Sequence, residues 1–333
     1  MSAAVLFFWI RLTVLWPYAA GAVVLVVGLA AVSWKQVREE PGLEKLVPLG
    51  PVLFAIPMAI FSGDHFVAAR AVGGIVPSWM PWHLFWAYFV GTALMAAALS
   101  IAARKESQLA AALLGIMLFL FVLMIHIPAC FATPFDASRL TIALRDSALS
   151  AGAFSFAAVQ AEEWQRGAYR GWGFALGSAA WKRIPGIARV VIGVALTYFG
   201  IQHLRFPSFA PGFPQEGPGV VVAMPSWIPA HVFWGYLTGA IMIGCGIALL
   251  MNWRPRAAAN VLAAMVLVLV VFVYVPLTIK NASNIALGLN YLAIHFALAG
   301  DALLLASALP KGIAEEVAVP AARKASLEQI PPA

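Results

Sequence analysis

Nine times along this chain an apolar run of about 20 residues recurs, and each is closed by a short segment carrying charge or proline. A helix rising about 1.5 Å per residue needs roughly 20 such residues to cross the hydrocarbon of a bilayer. Backbone polar groups in lipid must be satisfied within the segment, so runs of this length can only be helices. The spacing predicts helices near 12–34, 48–67, 82–103, 108–128, 140–160, 187–206, 231–251, 257–277 and 285–309. With 62% hydrophobic and 11% charged residues, the chain falls outside the composition of water-soluble domains. The expected fold is an all-α integral membrane protein with nine transmembrane helices, and the lipid bilayer is its first partner.

A net charge of +7 would invite a nucleic-acid reading in a soluble chain. Here the basic residues sort by side instead. Fifteen of the 21 Lys and Arg residues lie in the loops after helices 1, 3, 5 and 7 and in the C-terminal tail. Five lie on the other side, namely Arg11, Arg70, Arg139, Arg205 and Lys280, and Arg145 falls inside a helix. The bias puts the N-terminus outside and the C-terminus in the cytoplasm, and no nucleic-acid partner is expected. The opening "MSAAVLFFWI" lacks a basic n-region, so the first run reads as a retained anchor. Two isolated cysteines, Cys130 and Cys245, give no disulfide framework.

The stretch "VPSWMPWHLFWAYFVG", Val76 to Gly91, returns as "MPSWIPAHVFWGYLTG", Met224 to Gly239. At this offset of 148, nine of the twenty residues from Val76 to Met95 match, and the same shift pairs Pro128 with Pro276 and Gly152 with Gly300. Upstream the offset is 138, where Phe61 and His65 meet Phe199 and His203. The ten extra residues fall in the loop "RFPSFAPGFPQEGPG". The pattern predicts one N-terminal helix with its cytoplasmic loop (1–47) and two parallel four-helix repeats (48–160 and 187–309). A cytoplasmic interfacial linker (161–186) joins the repeats, and a disordered cytoplasmic tail (310–333) follows them.

Five of the six histidines fall at the outer level: His65, His83, His126, His203 and His231, with Tyr274 standing where His126 would repeat. His83 and Trp86, like His231 and Trp234, are three apart and share a helix face. One reading is an interfacial belt of amphipathic rings. The other is a pocket for a lipophilic molecule, a quinone or an isoprenoid or lipid head group, bound by His65, His83, Trp86, His203, His231 and Trp234. Repetition singles out His83 and His231 and ranks His126 last. Zinc or copper on His65, His83 and His126, or a bis-histidine haem, is disfavoured because the rings come from separate helices, and no catalytic residue is assigned.

Polar groups inside the spans form a second set: Asp64, Arg145, Asp146, His295 and Asp301. Arg145 and Asp146 are sequence neighbours and point apart on a helix, so each is expected to find another partner, with Asp64 or Asp136 facing the arginine. His295 and Asp301 are six apart and not on one face, so a relay between them needs an intermediary.

The four-helix unit resembles the DoxX family of small bacterial membrane proteins. "FGIQHL", Phe199 to Leu204, looks like the family's ending of its first helix, and Pro229 to Gly239 is similar to its Pro-led, Gly-containing second helix. The resemblance covers about 48–160 and 187–309. It implies a multi-pass protein of the bacterial inner membrane and a redox-accessory role beside a membrane redox partner. A small-solute transporter and a structural subunit of a membrane complex are the alternatives.

Overall fold

The computed structural model describes residues 3–134, 136–167, 172–173, 177–212 and 224–311, with side chains described from residue 14 onward. The tail from residue 312, most of the extra loop (213–223) and part of the linker (168–171 and 174–176) lie outside the described residues. Among the described residues, nine helices are long and apolar enough to cross a membrane, and no strand is formed.

We number them α1 (Ala3–Ala31), α2 (Gly50–Val67), α3 (His83–Ala103), α4 (Ser107–Phe121), α5 (Ala137–Gln165), α6 (Ser178–Arg205), α7 (His231–Leu250), α8 (Pro255–Leu269) and α9 (Leu289–Ala308). A short helix (Trp34–Glu39) and a 3-10 turn (Gly42–Leu49) lead into α2, and another short helix (Ala69–Gly73) follows it. The helices α5 and α6 run further than hydropathy predicts, to Gln165 and from Ser178. Charge lowers the apolar signal at those ends but not the helix propensity of Glu, Gln, Arg and Lys.

Sequential neighbours pack in both halves: α2 on α3, α3 on α4, α4 on α5, and likewise α6 on α7, α7 on α8, α8 on α9. Three further contacts join the halves, α2 with α9, α5 with α6, and α5 with α9. The most buried spans are therefore α2, α5 and α9, and their contacts are rich in small residues. Gly152 of α5 packs against Asp301 of α9, and Gly300 lies so close to α2 that a Cβ there would overlap the Phe54 nitrogen. Without a hydrophobic force between helices in lipid, close backbone approach of this kind supplies the packing energy.

Local features recur at the 148-residue offset. Trp82 (φ 57°) and Ala230 (φ 54°) enter α3 and α7 in the left-handed region, as do Arg104 and Asn252, and Glu106 and Arg254, in the following loops. The indoles of Trp86 and Trp234 donate to the carbonyls of Pro81 and Pro229, each at 3.0 Å. Met80 and Ile228 close turns onto Pro77 and Pro225. The echoed motif thus builds a rigid helix entry: a turn, a left-handed residue, and an indole tied back to the proline carbonyl. Each half also widens into a π turn, Val122–His126 after α4 and Val270–Tyr274 after α8, and each then continues as a short helix with proline in its first turn. Proline lacks the N–H that an α-helical bond would need there, which fits the switch in pattern just ahead of it.

Candidate functional cavity

A cavity of about 650 Å³ lies within the first half, between α2, α3, α4, α5 and the start of α9. Its walls are apolar and soft, with Met58, Met117, Met124, Phe61, Phe121 and Leu149, and the segment holding Ile75, Pro77 and Met80 covers it. Phe89 of α3 and Leu120 of α4 line the cavity while being 51% and 44% exposed, so the space opens sideways between these helices toward the lipid.

The polar groups gather at one side: His65, His126, Arg145, Asp146, Asn290 and Tyr291. Glycine sets the position of His65, because α3 can lie against α2 only where Gly91 leaves room, a Cβ there standing 2.9 Å from the His65 Cβ. Ser62 bonds the Gly91 carbonyl at 2.7 Å and holds the two helices in register. His65 donates through Nδ1 to the Phe61 carbonyl at 2.8 Å. His126 sits in the π turn, with Nε2 2.8 Å from Asp146 Oδ2.

One expectation is overturned here. Arg145 and Asp146 do pair, Nε to Oδ1 at 2.9 Å, although they are neighbours in α5. Helix geometry separates their Cβ atoms, but the arginine stem is long enough to curl back over the adjacent turn, and the polar cavity wall gives it reason to. Asp146 thereby serves both Arg145 and His126. Asp64 hydrogen-bonds Asn290 of α9.

Of the residues expected from sequence, the cavity brings together His65, Trp86, Arg145 and Asp146, with His126 added. His83 and His231 open α3 and α7 and do not line it, and Trp234 is turned outward. The trio His65, His83 and His126 does not converge, and among the described residues no group of three His, Cys, Asp or Glu side chains could hold a metal ion. Asp301 is buried deeper, against Gly152.

The second half fills its corresponding space with its own chain. His203 Nε2 lies 2.6 Å from the Gly212 carbonyl, the Tyr274 hydroxyl donates to the Pro211 carbonyl, and His295 stacks on Tyr274 with ring centroids 3.5 Å apart. His203 and Tyr274 stand where the first half has His65 and His126. Gly212 (φ 133°) is wedged so tightly that a Cβ would overlap His295 Nε2. Tyr274 in turn stacks parallel to Tyr291, at 6.5 Å, and Tyr291 is a wall of the open cavity.

Sequence reasoning missed Glu44, Asn260 and the role of Arg256. Glu44, buried in the 3-10 turn, is held by Arg256 of α8 at 2.7 Å and by Asn260 at 2.5 Å, and Arg256 also donates to the Ala306 and Leu309 carbonyls at the end of α9 and just beyond it. The signal that could have found them is the i, i+4 spacing of Arg256 and Asn260 on an otherwise apolar helix.

Compared with known proteins, residues 184–275, from α6 through the π turn after α8, match the DoxX family model. No curated protein and no solved structure matches the chain.

Proposed function

We propose, proceeding from a multi-pass membrane protein whose second half is DoxX-like, that the chain binds a lipophilic molecule in the first-half cavity near the outer leaflet and serves as an accessory to a membrane redox partner. The ligand class is a quinone or an isoprenoid or other lipid with a polar head. One observation carries this reading: a lipid-facing cavity of about 650 Å³ with apolar walls and a single polar side, which is the architecture that lipophilic ligands require. The 15-to-5 charge bias supports an outer placement of that polar side in a bacterial inner membrane, with the C-terminus cytoplasmic. The paired left-handed residues, indole bonds and π turns support descent of both halves from one duplicated unit.

The test is direct. Protein purified in mild detergent is extracted and the extract analysed by mass spectrometry. A co-purifying lipophile near one per chain is expected, and it should be lost from Met117→Trp and Met124→Trp, which fill the cavity. Phe131→Ala, 80% exposed and away from the cavity lining, is the control. Equal lipophile content in all four proteins would sink the reading.

A small-solute carrier is the second reading, and one observation favours it, the Asp301 carboxyl buried between central helices. Solute flux in proteoliposomes that Asp301→Asn abolishes would favour the carrier over the binding site.

A further inference from the structure

Deepening the carrier reading, on which its use rests, we infer that Asp301 is a proton-binding site between two cavities lined by the same three helices, and that a proton is the ion such a carrier couples to.

The large cavity and a polar cavity of about 160 Å³ share α2, α5 and α9. Along α5 one stripe at helical spacing runs through both: Arg145 and Leu149 line the large cavity, Gly152 follows, and Phe156, Val159 and Glu163 line the small one. On α2, Met58, Phe61 and His65 line the large cavity and Pro51 the small one, with the buried Phe54 between them. On α9 the large cavity has Ala297 and the small one Ser307. Between the two stand Gly300, packed on Phe54, and Asp301, packed on Gly152. At 1.5 Å per residue, Asp301 lies about 6 Å along α9 from Ala297 and about 9 Å from Ser307.

The frame of the fold does not require a carboxyl here, because the counterpart of Asp301 at the 148-residue offset is the equally buried Ala153. Neither oxygen of Asp301 has a hydrogen-bond partner of good geometry among the described residues, and the polar group beside it is the Gly152 backbone. Charged and titratable groups on the surrounding elements stand elsewhere: Asp64, His65, Arg145 and Asp146 at one end, Glu44, Glu163 and Arg256 at the other, and His203 and His295 beside the Gly212 segment. None of them ion-pairs with Asp301. A structural salt bridge or hydrogen bond therefore does not account for it.

An unpaired carboxylate at this depth would be costly, so the group rests as the neutral acid. A divalent cation would need about six oxygen ligands, and among the described residues no group of three His, Cys, Asp or Glu side chains could supply a metal site. A proton needs one carboxyl oxygen. The small cavity, with Gln160 and Glu163 on its wall, admits water. A proton lost from the Asp301 O–H to water at one cavity is replaced by one arriving from the other, and the carboxyl is unchanged over a cycle.

Infrared spectra of the full chain in nanodiscs near neutral pH read the carbonyl stretch of a protonated carboxyl. Subtracting the Asp301→Asn spectrum from the wild type should leave one such band, and Asp301→Ala, which copies Ala153, should give the same difference. Glu162→Gln, an exposed carboxylate bonded to Arg166, should keep the band. In heavy water the band should shift to lower frequency as the acid proton exchanges. Leu149→Trp and Val159→Trp, which fill one cavity each, should together slow that shift; unchanged exchange in the double variant would overturn the placement between the cavities. No band in either difference, or a band that heavy water never moves, would overturn the proton site. A band that moves, without the Asp301-dependent solute flux, keeps the proton site and removes the carrier. Solute flux lost in Asp301→Asn, without the band, keeps the carrier and removes the proton.

Discussion

The link between Glu44 and Arg256 should be the most sensitive polar contact in the molecule. It joins the turn before α2 to the first turn of α8, 212 residues away, and both side chains are about nine-tenths buried. Arg256→Met removes three hydrogen bonds to Glu44 and the two that cover the Ala306 and Leu309 carbonyls. Stranding one partner of a buried pair costs about 3 to 5 kcal/mol, and losing the cation at a helix C-terminus adds about 0.3 to 1. Asn260 still bonds Glu44, and a polar cavity of about 160 Å³ beside the pair admits water, so the lower end applies, about 3 kcal/mol. At roughly 2 to 4 °C per kcal/mol this is a fall in melting midpoint of about 6 to 12 °C. Glu44→Gln should cost less, since Arg256 keeps the two carbonyls. The Glu44→Gln, Arg256→Met double variant should melt near the worse single variant, a coupling of about 2 kcal/mol. Midpoints are read by intrinsic fluorescence in one detergent at one scan rate, because unfolding of such proteins is governed by rate. Strictly additive effects would refute the pair as a unit.

Four further expectations follow from the geometry. Gly152→Ala puts a Cβ into overlap with Asp301 Oδ1; it should lower thermal stability by about 1 to 3 kcal/mol, and Asp301→Ala in the same chain should restore most of the loss. Gly212→Ala combines a positive φ with overlap onto His295 Nε2; it should expel the segment and speed proteolysis between Phe206 and Met224, whereas Gly167→Ala, with nothing within 4 Å of its Cβ, should not. Asp136 caps α5 by accepting from the Ser138 nitrogen and hydroxyl, and these bonds hold its carboxyl below the usual range. A depressed folded value means the cap stabilises above the unfolded pKa and fades as pH falls through the folded one, so the wild-type advantage over Asp136→Ala should vanish under acid melting conditions. A reporter fused after Lys311 should be active only in the cytoplasm and one after Ser283 only when exported; the reverse result would turn the cavity toward the inner leaflet.

How far the sequence carried depended on the range of the interaction concerned. All nine spans were legible because apolar run length is a local property, and the echoed motif was legible because it encodes a local device, the tied-back indoles of Trp86 and Trp234. The grouping of His65 with Asp146 and Asn290 was not, since it needs α2, α5 and α9 to be brought side by side. Helix periodicity alone gave the wrong answer for Arg145, because it locates Cβ atoms and says nothing of where a long flexible side chain ends. Repetition ranked His83 and His231 above His126. In the fold His126 lines the cavity and bonds Asp146, while the motif histidines mark helix entries.

The contrast between the halves is the reason the proposed binding site is assigned to the first half alone. Each half carries a histidine near the end of a helix, His65 in α2 and His203 in α6, and a ring in a π turn, His126 and Tyr274. In the second half, His203 and Tyr274 hold the Gly212 and Pro211 carbonyls. The buried polar groups there are satisfied by the covalently tethered chain, and a tethered group meets no translational penalty on binding, so a diffusible ligand competes at a disadvantage. In the first half the connecting segment is ten residues shorter by the sequence offsets and passes over the space as a cover, with Ile75, Pro77 and Met80 on its wall. Tyr291 lies between the two, on the wall of the open cavity and stacked on Tyr274 of the filled one. A displacement of the Pro211–Gly212 segment acts directly on His203, Tyr274 and His295 and reaches the open cavity through Tyr291, which makes the ligand affinity of Gly212→Ala the measurement that links the filled half to the open one.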